Sequence, residues 1–149
     1  MKKAVRSWSG VLVVTVVMKP DAFSCRHNCA YCPDETKKNG GKHDMPRSYL
    51  STEPAVMRAM ENDFDAVKQV HARLNQLRYL GHVLDKLEII VLGGTFSEYP
   101  KKYRDEFMTD LFYAANVYDG APRQKRGMFE EQHENKKTKY KQVTKPAQL

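Results

Sequence analysis

The chain has 149 residues, 41% of them hydrophobic, with a net charge of +7 and a pI near 9.3. That length suits one domain, or a piece of one, with a modest core, and the charge favours a polyanionic partner, nucleic acid first. All three cysteines fall between Cys25 and Cys32, which excludes a spread-out disulfide framework and points to a reducing, cytoplasmic compartment.

Lys2, Lys3 and Arg6 precede an apolar run over residues 11–17, a layout shared with signal peptides. Met18-Lys19-Pro20-Asp21 offers no small-residue cleavage site, and the run is too short to span a bilayer, so no membrane association is expected. Its β-branched density predicts a strand apolar on both faces, as in a parallel sheet. Pro20 ends the strand. The cysteines then follow its C-terminal end, where open parallel sheets and barrels place their chemistry.

Cys25, Cys29 and Cys32 are spaced C-x3-C-x2-C. Thiolates are soft, strongly donating ligands, and a short loop aims several at one centre. Three of them with no fourth leave one iron of a cubane cluster open to a small molecule. Two alternatives stand beside this reading. A zinc site could recruit His27 or His43 as its fourth ligand, in a non-catalytic zinc-bearing RNA-binding module, or the thiols could simply pack. The spacing resembles the radical S-adenosylmethionine superfamily. That resemblance implies a 4Fe-4S cluster whose open iron chelates S-adenosylmethionine, with electron transfer giving a 5'-deoxyadenosyl radical. Tyr31 matches the aromatic residue before the third cysteine, near S-adenosylmethionine.

Residues 33–51 are polar and basic, with a turn signal at Asn39-Gly40-Gly41 and cations at Lys37, Lys38, Lys42 and Arg47. Ser51 or Thr52, with Pro54 close behind, starts a predicted helix. Its stripe of Val56, Met60, Phe64, Val67, Val70, Leu74 and Leu77 carries one helix to about Leu80, and Gly81 stops it. His71 and His82 read as surface or packing residues. A second apolar strand, Leu87 to Leu92, runs straight into Gly93-Gly94-Thr95. Two βα units on one pattern imply a parallel sheet with right-handed crossovers. Glycines after a strand suit a simple turn, but beside the cysteine loop they also let a ligand approach the backbone. They resemble the superfamily's glycine-rich motif that holds the methionyl amine, with Thr95 where an acidic residue is common.

Residues 100–117 predict a further helix, with Tyr103, Phe107, Leu111, Ala114 and Ala115 on one face. Residues 123–149 then form a basic tail that carries most of the net charge, with Lys136, Lys137, Lys139 and Lys141 at its centre and a possible third strand over residues 140–143. These lysines, with Lys37, Lys38, Lys42 and Arg47, are the candidate contacts to RNA phosphates.

Several stretches in order resemble one branch of that superfamily, the catalytic subunit of the Elongator complex and its archaeal and bacterial relatives. They are Arg6-Ser7-Trp8-Ser9-Gly10, Met18-Lys19-Pro20, Cys29-Ala30-Tyr31-Cys32-Pro33, Ser48-Tyr49, Glu53-Pro54, Met57-Arg58-Ala59, Leu80-Gly81-His82, Val91-Leu92-Gly93-Gly94-Thr95-Phe96 and Tyr103-Arg104-Asp105. The resemblance implies acetyl-CoA-dependent carboxymethylation of the wobble uridine of tRNA at C5. It implies Cys25, Cys29 and Cys32 as cluster ligands, Tyr31, Gly93, Gly94 and Thr95 beside S-adenosylmethionine, and tRNA and Elongator-type subunits as partners. The first cysteine gap is shorter than in that family, and Asp34 stands where glycine is common. The expected fold is α/β, an incomplete parallel β/α barrel of the radical S-adenosylmethionine type, with about two βα units and a basic tail. Residues 1–122 would be the N-terminal portion of the radical domain, and the family's acetyltransferase domain is expected to be absent. The chain is then expected to be a fragment, a truncated relative, or a piece completed by another chain.

Overall fold

A computed structural model describes residues 9–22, 25–27 and 29–118. The expected tail, its lysines and the possible third strand lie outside the described residues. The described elements belong to the first of two units, Met1–Ala115, and of the second only Asn116, Val117 and Tyr118 are described.

Two strands, β1 (Leu12–Val17) and β2 (Leu87–Leu92), form a parallel two-stranded sheet. Their register pairs Leu12 with Leu87 and Val17 with Leu92, so both strands end at the same edge. β-branched side chains favour this pleated conformation. The chain between the strands is long enough for the crossover that a parallel pair requires. Two βα units around a parallel sheet are the architecture of part of a β/α barrel, as the sequence predicts.

The expectation that both strands are buried on both faces needs correction. Leu12, Val14 and Val16 of β1 are fully buried, whereas Val13 is 44% exposed and Ile90 of β2 is 39% exposed. Val13 and Glu88, like Thr15 and Ile90, are register partners on one face. A parallel sheet is buried twice over only where both faces are covered. On the open face Val17, at the C-terminal end, clusters with Met45, Val56 and Ala59, and Leu92 packs against them, while Val13 and Ile90 stay exposed.

The single helix expected over residues 54–80 is two helices, α1 (Pro54–Glu61) and α2 (Ala66–Tyr79). Asp63 and Phe64 sit between them at φ 56° and 54°, the left-handed region in which a helix cannot continue. Asp65 then caps α2 by accepting from the Lys68 amide at 2.8 Å. Pro54 is the first residue of α1 and Glu53 its cap, one or two residues later than Ser51 or Thr52. Ser51 is engaged elsewhere: its Oγ donates to Glu35 at 2.6 Å. The stop at Gly81 is as expected, with φ 81°. The His82 amide reaches the Leu77 carbonyl at 3.1 Å and the Gly81 amide reaches Arg78 at 2.9 Å, a Schellman closure.

Gln69 is a buried polar residue of α2 that fills a gap in the sheet. Its Oε1 accepts from the Val17 amide at 2.9 Å and its Nε2 donates to the Val17 carbonyl at 3.0 Å. One side chain thus serves both backbone groups of Val17, as an added strand would. The last helix, α3 (Lys101–Asn116), buries Phe107, Leu111, Tyr113 and Ala114. His71 bonds the Ala114 carbonyl at 3.0 Å and His82 is buried, in line with packing roles.

Candidate metal and cofactor site

The cysteine loop leaves the C-terminal end of β1 and the glycine loop leaves the C-terminal end of β2. They are adjacent: the Met18 amide donates to the Leu92 carbonyl at 2.7 Å. Further out, Arg26 Nε lies 3.3 Å from Glu98 Oε2, a contact that orients more than it stabilises, because Arg26 is in solvent. The sheet edge therefore gathers the two motifs that the sequence places on separate loops.

All three thiols are free; Cys29 is exposed, Cys25 and Cys32 half-buried. Among the described residues no three His, Cys, Asp or Glu side chains are arrayed about one point as metal ligands. A cluster would therefore require residues 25–32 to close up around it, as ligand loops do when metal binding and local folding are coupled. The donor chemistry fits a thiolate-ligated group nonetheless. Cys32 Sγ and Ser48 Oγ are in contact, and the Arg47 guanidinium lies beside the Cys32 sulfur. The Cys32 sulfur holds the Arg47 pKa above its ordinary value, against burial and with the help of Asp34 and the Cys25 sulfur. Arg47 Nη1 is in turn held by Asp34 Oδ2 at 2.9 Å. A cation and a hydroxyl beside sulfur are what a thiolate ligand needs. Beside them a cavity of about 410 Å³ opens between Cys25, Asp34, Lys38, Asp44 and Arg47.

Gly93 and Gly94 divide the work expected of the glycine pair. Gly93 is buried at φ 148°, and a Cβ there would lie 2.7 Å from the Tyr99 hydroxyl and 2.8 Å from Met18 Cβ. Its carbonyl accepts from the Tyr99 phenol. Tyr99 is buried, which pushes its pKa up, with Tyr103 and Tyr49 adding to the effect. The ring stacks on Tyr103 with centroids 5.6 Å apart, and the Tyr103 hydroxyl accepts from the Lys19 amide at 2.7 Å. Gly93 thus joins the loop to the aromatic core, and Gly94, exposed at φ 80°, is the glycine open to a ligand. Thr95 is exposed and Tyr31 is 89% exposed.

Of the candidate RNA contacts, Lys37, Lys38 and Lys42 are exposed. Lys37 faces Asp44 at 4.0 Å. Arg47 differs from them: its side chain is only 16% exposed and turned to Asp34 and Cys32. Lys136, Lys137, Lys139 and Lys141 lie outside the described residues. Sequence reasoning missed Tyr99 and gave Ser48 no role, although Ser48-Tyr49 was among the stretches carrying the family resemblance.

No model of a known protein family matches the chain. Elongator complex protein 3 of Saccharomyces cerevisiae is 38% identical over 127 residues, which are 79% of this chain and 22% of that protein. A tRNA uridine(34) acetyltransferase of Methanocaldococcus infernus is 38% identical over 143 residues, 95% of this chain and 25% of that protein. The chain is a relative of Elongator complex protein 3. It spans about a quarter of the length of the curated relatives it matches. The Elongator complex protein 3 of Homo sapiens, 36% identical over 141 residues, spans 85% of the chain and 24% of its own length. These relatives do not favour the alternative of a non-catalytic zinc module. Among the described residues no helix is long and apolar enough to cross a membrane.

Proposed function

We propose that this chain carries the cluster-binding and S-adenosylmethionine-binding part of a tRNA wobble-uridine modifying enzyme. The observation that supports it best is that the loop carrying three free thiols, Cys25, Cys29 and Cys32, and the Gly93-Gly94 loop leave adjacent strand ends at one edge of a parallel sheet. In this reading the three cysteines hold a 4Fe-4S cluster. When bound, the cluster supplies the electron that cleaves S-adenosylmethionine.

The chain's own residues orient and shield. Gly94 leaves room for a ligand beside the backbone, Tyr31 and Thr95 flank the cofactor, and Tyr99 with Tyr103 fixes the two loops against each other. Lys37, Lys38, Lys42 and, from the tail, Lys136, Lys137, Lys139 and Lys141 contact tRNA phosphates, with Arg47 at the inner edge of that basic loop. Acetyl-CoA serves as co-substrate of the whole activity, C5 carboxymethylation, in the cytoplasm. No residue of this chain is assigned to it. Elongator-type subunits, or a chain that completes the barrel, are the expected protein partners. A radical reaction needs its substrate held close and water excluded, and the open sheet face around Val13 and Ile90 does neither. The chain alone is therefore expected to cleave S-adenosylmethionine slowly and not to make carboxymethyluridine.

Anaerobic reconstitution with iron and sulfide tests the reading. Four irons per chain, lost when Cys25, Cys29 and Cys32 are replaced together by alanine, are the expected result. One zinc per chain in protein purified without oxygen would overturn it in favour of the zinc module. Efficient tRNA modification by the chain alone, given acetyl-CoA, would overturn the expected incompleteness.

A further inference from the structure

Phe96 is 42% exposed and stands just beyond Gly94 and Thr95, opening the short 3-10 turn Phe96–Glu98 that precedes α3. It is thus on the loop that leaves β2 at the same sheet edge as the cysteine loop. Tyr79 and Phe112 are also exposed, but Tyr79 is the last residue of α2 and Phe112 lies in the C-terminal half of α3. Neither is on a loop of that edge. Tyr31 is, and its place in the proposed function is beside the cofactor.

The Arg104 guanidinium carbon lies over the Phe96 ring, 5.5 Å from its centroid. The carboxylates nearest in sequence serve other cations, Glu98 facing Arg26 and Asp105 facing Lys101. Among the described residues no carboxylate pairs with Arg104, and its Nε is buried without a hydrogen-bond partner. Buried donors are seldom left so. An arginine kept for packing alone would be expected to hold a carbonyl or a carboxylate. One held half-buried over an aromatic ring, with its charge uncompensated, suits an anionic ligand.

A nucleotide of single-stranded RNA presents both complementary groups, a base with a π face and a phosphate. Aromatic rings and guanidinium groups are the side chains on which proteins hold unpaired bases. S-adenosylmethionine also carries a base, but it has no phosphate, and its sulfonium and ammonium leave it with a net positive charge that a guanidinium disfavours.

We infer that Phe96 and Arg104 form a subsite for one nucleotide of single-stranded RNA, the base stacked on the exposed part of the Phe96 ring and the Arg104 guanidinium at an adjoining phosphate. The inference rests on the proposed tRNA reading and adds to it a contact to a base, where the lysines supply contacts to phosphates alone. Stacking accepts any base. The subsite therefore holds the strand at the edge that carries the candidate site and does not choose its sequence.

The test uses the full chain, as wild type and as Phe96→Leu, Phe96→Tyr and Arg104→Gln, with a short labelled oligouridylate and an abasic strand of equal length as probes. Binding is read by fluorescence anisotropy at several salt concentrations. Wild type is expected to prefer the strand that carries bases. Phe96→Leu should lose that preference, weakening binding roughly five- to a hundredfold with an unchanged salt slope, and Phe96→Tyr should keep it. Arg104→Gln should reduce the slope of log affinity against log salt by roughly 0.7. Where far-ultraviolet circular dichroism shows a variant unfolded, Phe96→Trp carries the test. The oligouridylate should quench its added indole beyond the quenching seen in wild type, and the abasic strand should not. Equal wild-type affinity for the two strands, wild-type binding by Phe96→Leu, or an added indole that RNA leaves unquenched would overturn the inference and leave the RNA reading standing. Loss of S-adenosylmethionine binding by the reconstituted Phe96→Leu chain, with RNA affinity unchanged, would overturn it too and assign the ring to the cofactor's adenine. A wild-type chain that binds neither strand would overturn both the inference and the RNA reading.

Discussion

The phenol of Tyr99 donates to the carbonyl of Gly93. Through the Tyr99–Tyr103 stack and the bond from the Lys19 amide to Tyr103, the same aromatic pair reaches the chain just beyond β1. Tyr99, just ahead of α3, and Tyr103, in its first turn, thus clamp the two strand ends that carry the candidate site, and a change in this pair should be felt in both loops.

Tyr99→Phe removes one oxygen and leaves a buried carbonyl without its donor, a loss of about 1–3 kcal/mol. Gly93→Ala is harsher. Its Cβ would lie 2.7 Å from the Tyr99 hydroxyl and 2.8 Å from Met18 Cβ at a φ of 148°, so overpacking and backbone strain together cost about 2–6 kcal/mol. Gly94→Ala, on the exposed side, should disturb folding less and S-adenosylmethionine binding more. Urea midpoints with equilibrium dialysis of the cofactor on the three variants check this. An equal stability loss at both glycines would refute the division of roles between them.

Gln69→Leu is the second prediction. The leucine would keep the apolar packing of α2 but leave the amide and carbonyl of Val17 without partners, which costs at least about 2 kcal/mol. Gln76→Leu, exposed on the same helix, should stay within about 0.5 kcal/mol of wild type. Thermal or urea denaturation of the two variants reads the difference directly.

What was legible in the sequence was mostly local. The β-branched run of β1, the Pro54 start, the Gly81 stop and the glycines after β2 each carry their own signal within a few residues. The break between α1 and α2 escaped because the apolar stripe passes through it in phase: Met60 and Phe64 still fall four residues apart. Its signal was Asn62-Asp63 with Asp65, short polar side chains that compete with helix hydrogen bonds. Asp65→Ala should accordingly cost about 1 kcal/mol through loss of the cap. The Arg47 and Ser48 contacts to Cys32, the Gln69 bonds to Val17 and the Tyr99 bond to Gly93 depend on which side chains meet in space. No periodicity announces them. The open sheet face was missed for a related reason, since an apolar run shows what a strand can bury and not what covers it.

Glu35 gives a prediction in pH. Its carboxylate accepts from the Ser51 hydroxyl at 2.6 Å and from the Ser51 amide at 2.7 Å. The hydroxyl first and the amide second hold its pKa below the ordinary carboxylate value, against burial and with a small contribution from His43. A carboxylate depressed in the folded state takes up its proton first in the unfolded chain. Its contribution is therefore complete above the unfolded pKa and disappears as pH falls through the folded one. Glu35→Gln should lower stability at neutral pH and flatten the acid limb of the stability curve below the ordinary carboxylate range. Urea midpoints from neutral pH down to about 3 would show it, and parallel curves for the two proteins would exclude the role.

The proposed tRNA contacts are tested by salt. Lys37, Lys38 and Lys42 project from the loop that follows the cysteines, and the tail adds Lys136, Lys137, Lys139 and Lys141 along the sequence. Lysines that neutralise phosphates release condensed counterions, so affinity should fall steeply with salt and vary little with RNA sequence. Replacing any one lysine that neutralises a phosphate should reduce the slope of log affinity against log salt by roughly 0.7–0.9. Filter binding of tRNA at several salt concentrations would compare the full chain, a chain ending at Tyr118, and Lys37→Gln/Lys38→Gln/Lys42→Gln in the full chain. If both basic regions engage the backbone, each change lowers the slope and their effects add. Arg47→Gln should leave the slope nearly unchanged, because Asp34 and Cys32 already hold that guanidinium. Of Phe, Tyr and Trp the tail has only Phe129 and Tyr140 to stack on a base, so its removal should weaken binding to all tRNAs alike. Equal affinity with and without the tail would return those lysines to a solvated extension and leave the loop lysines as the RNA-binding residues of this chain.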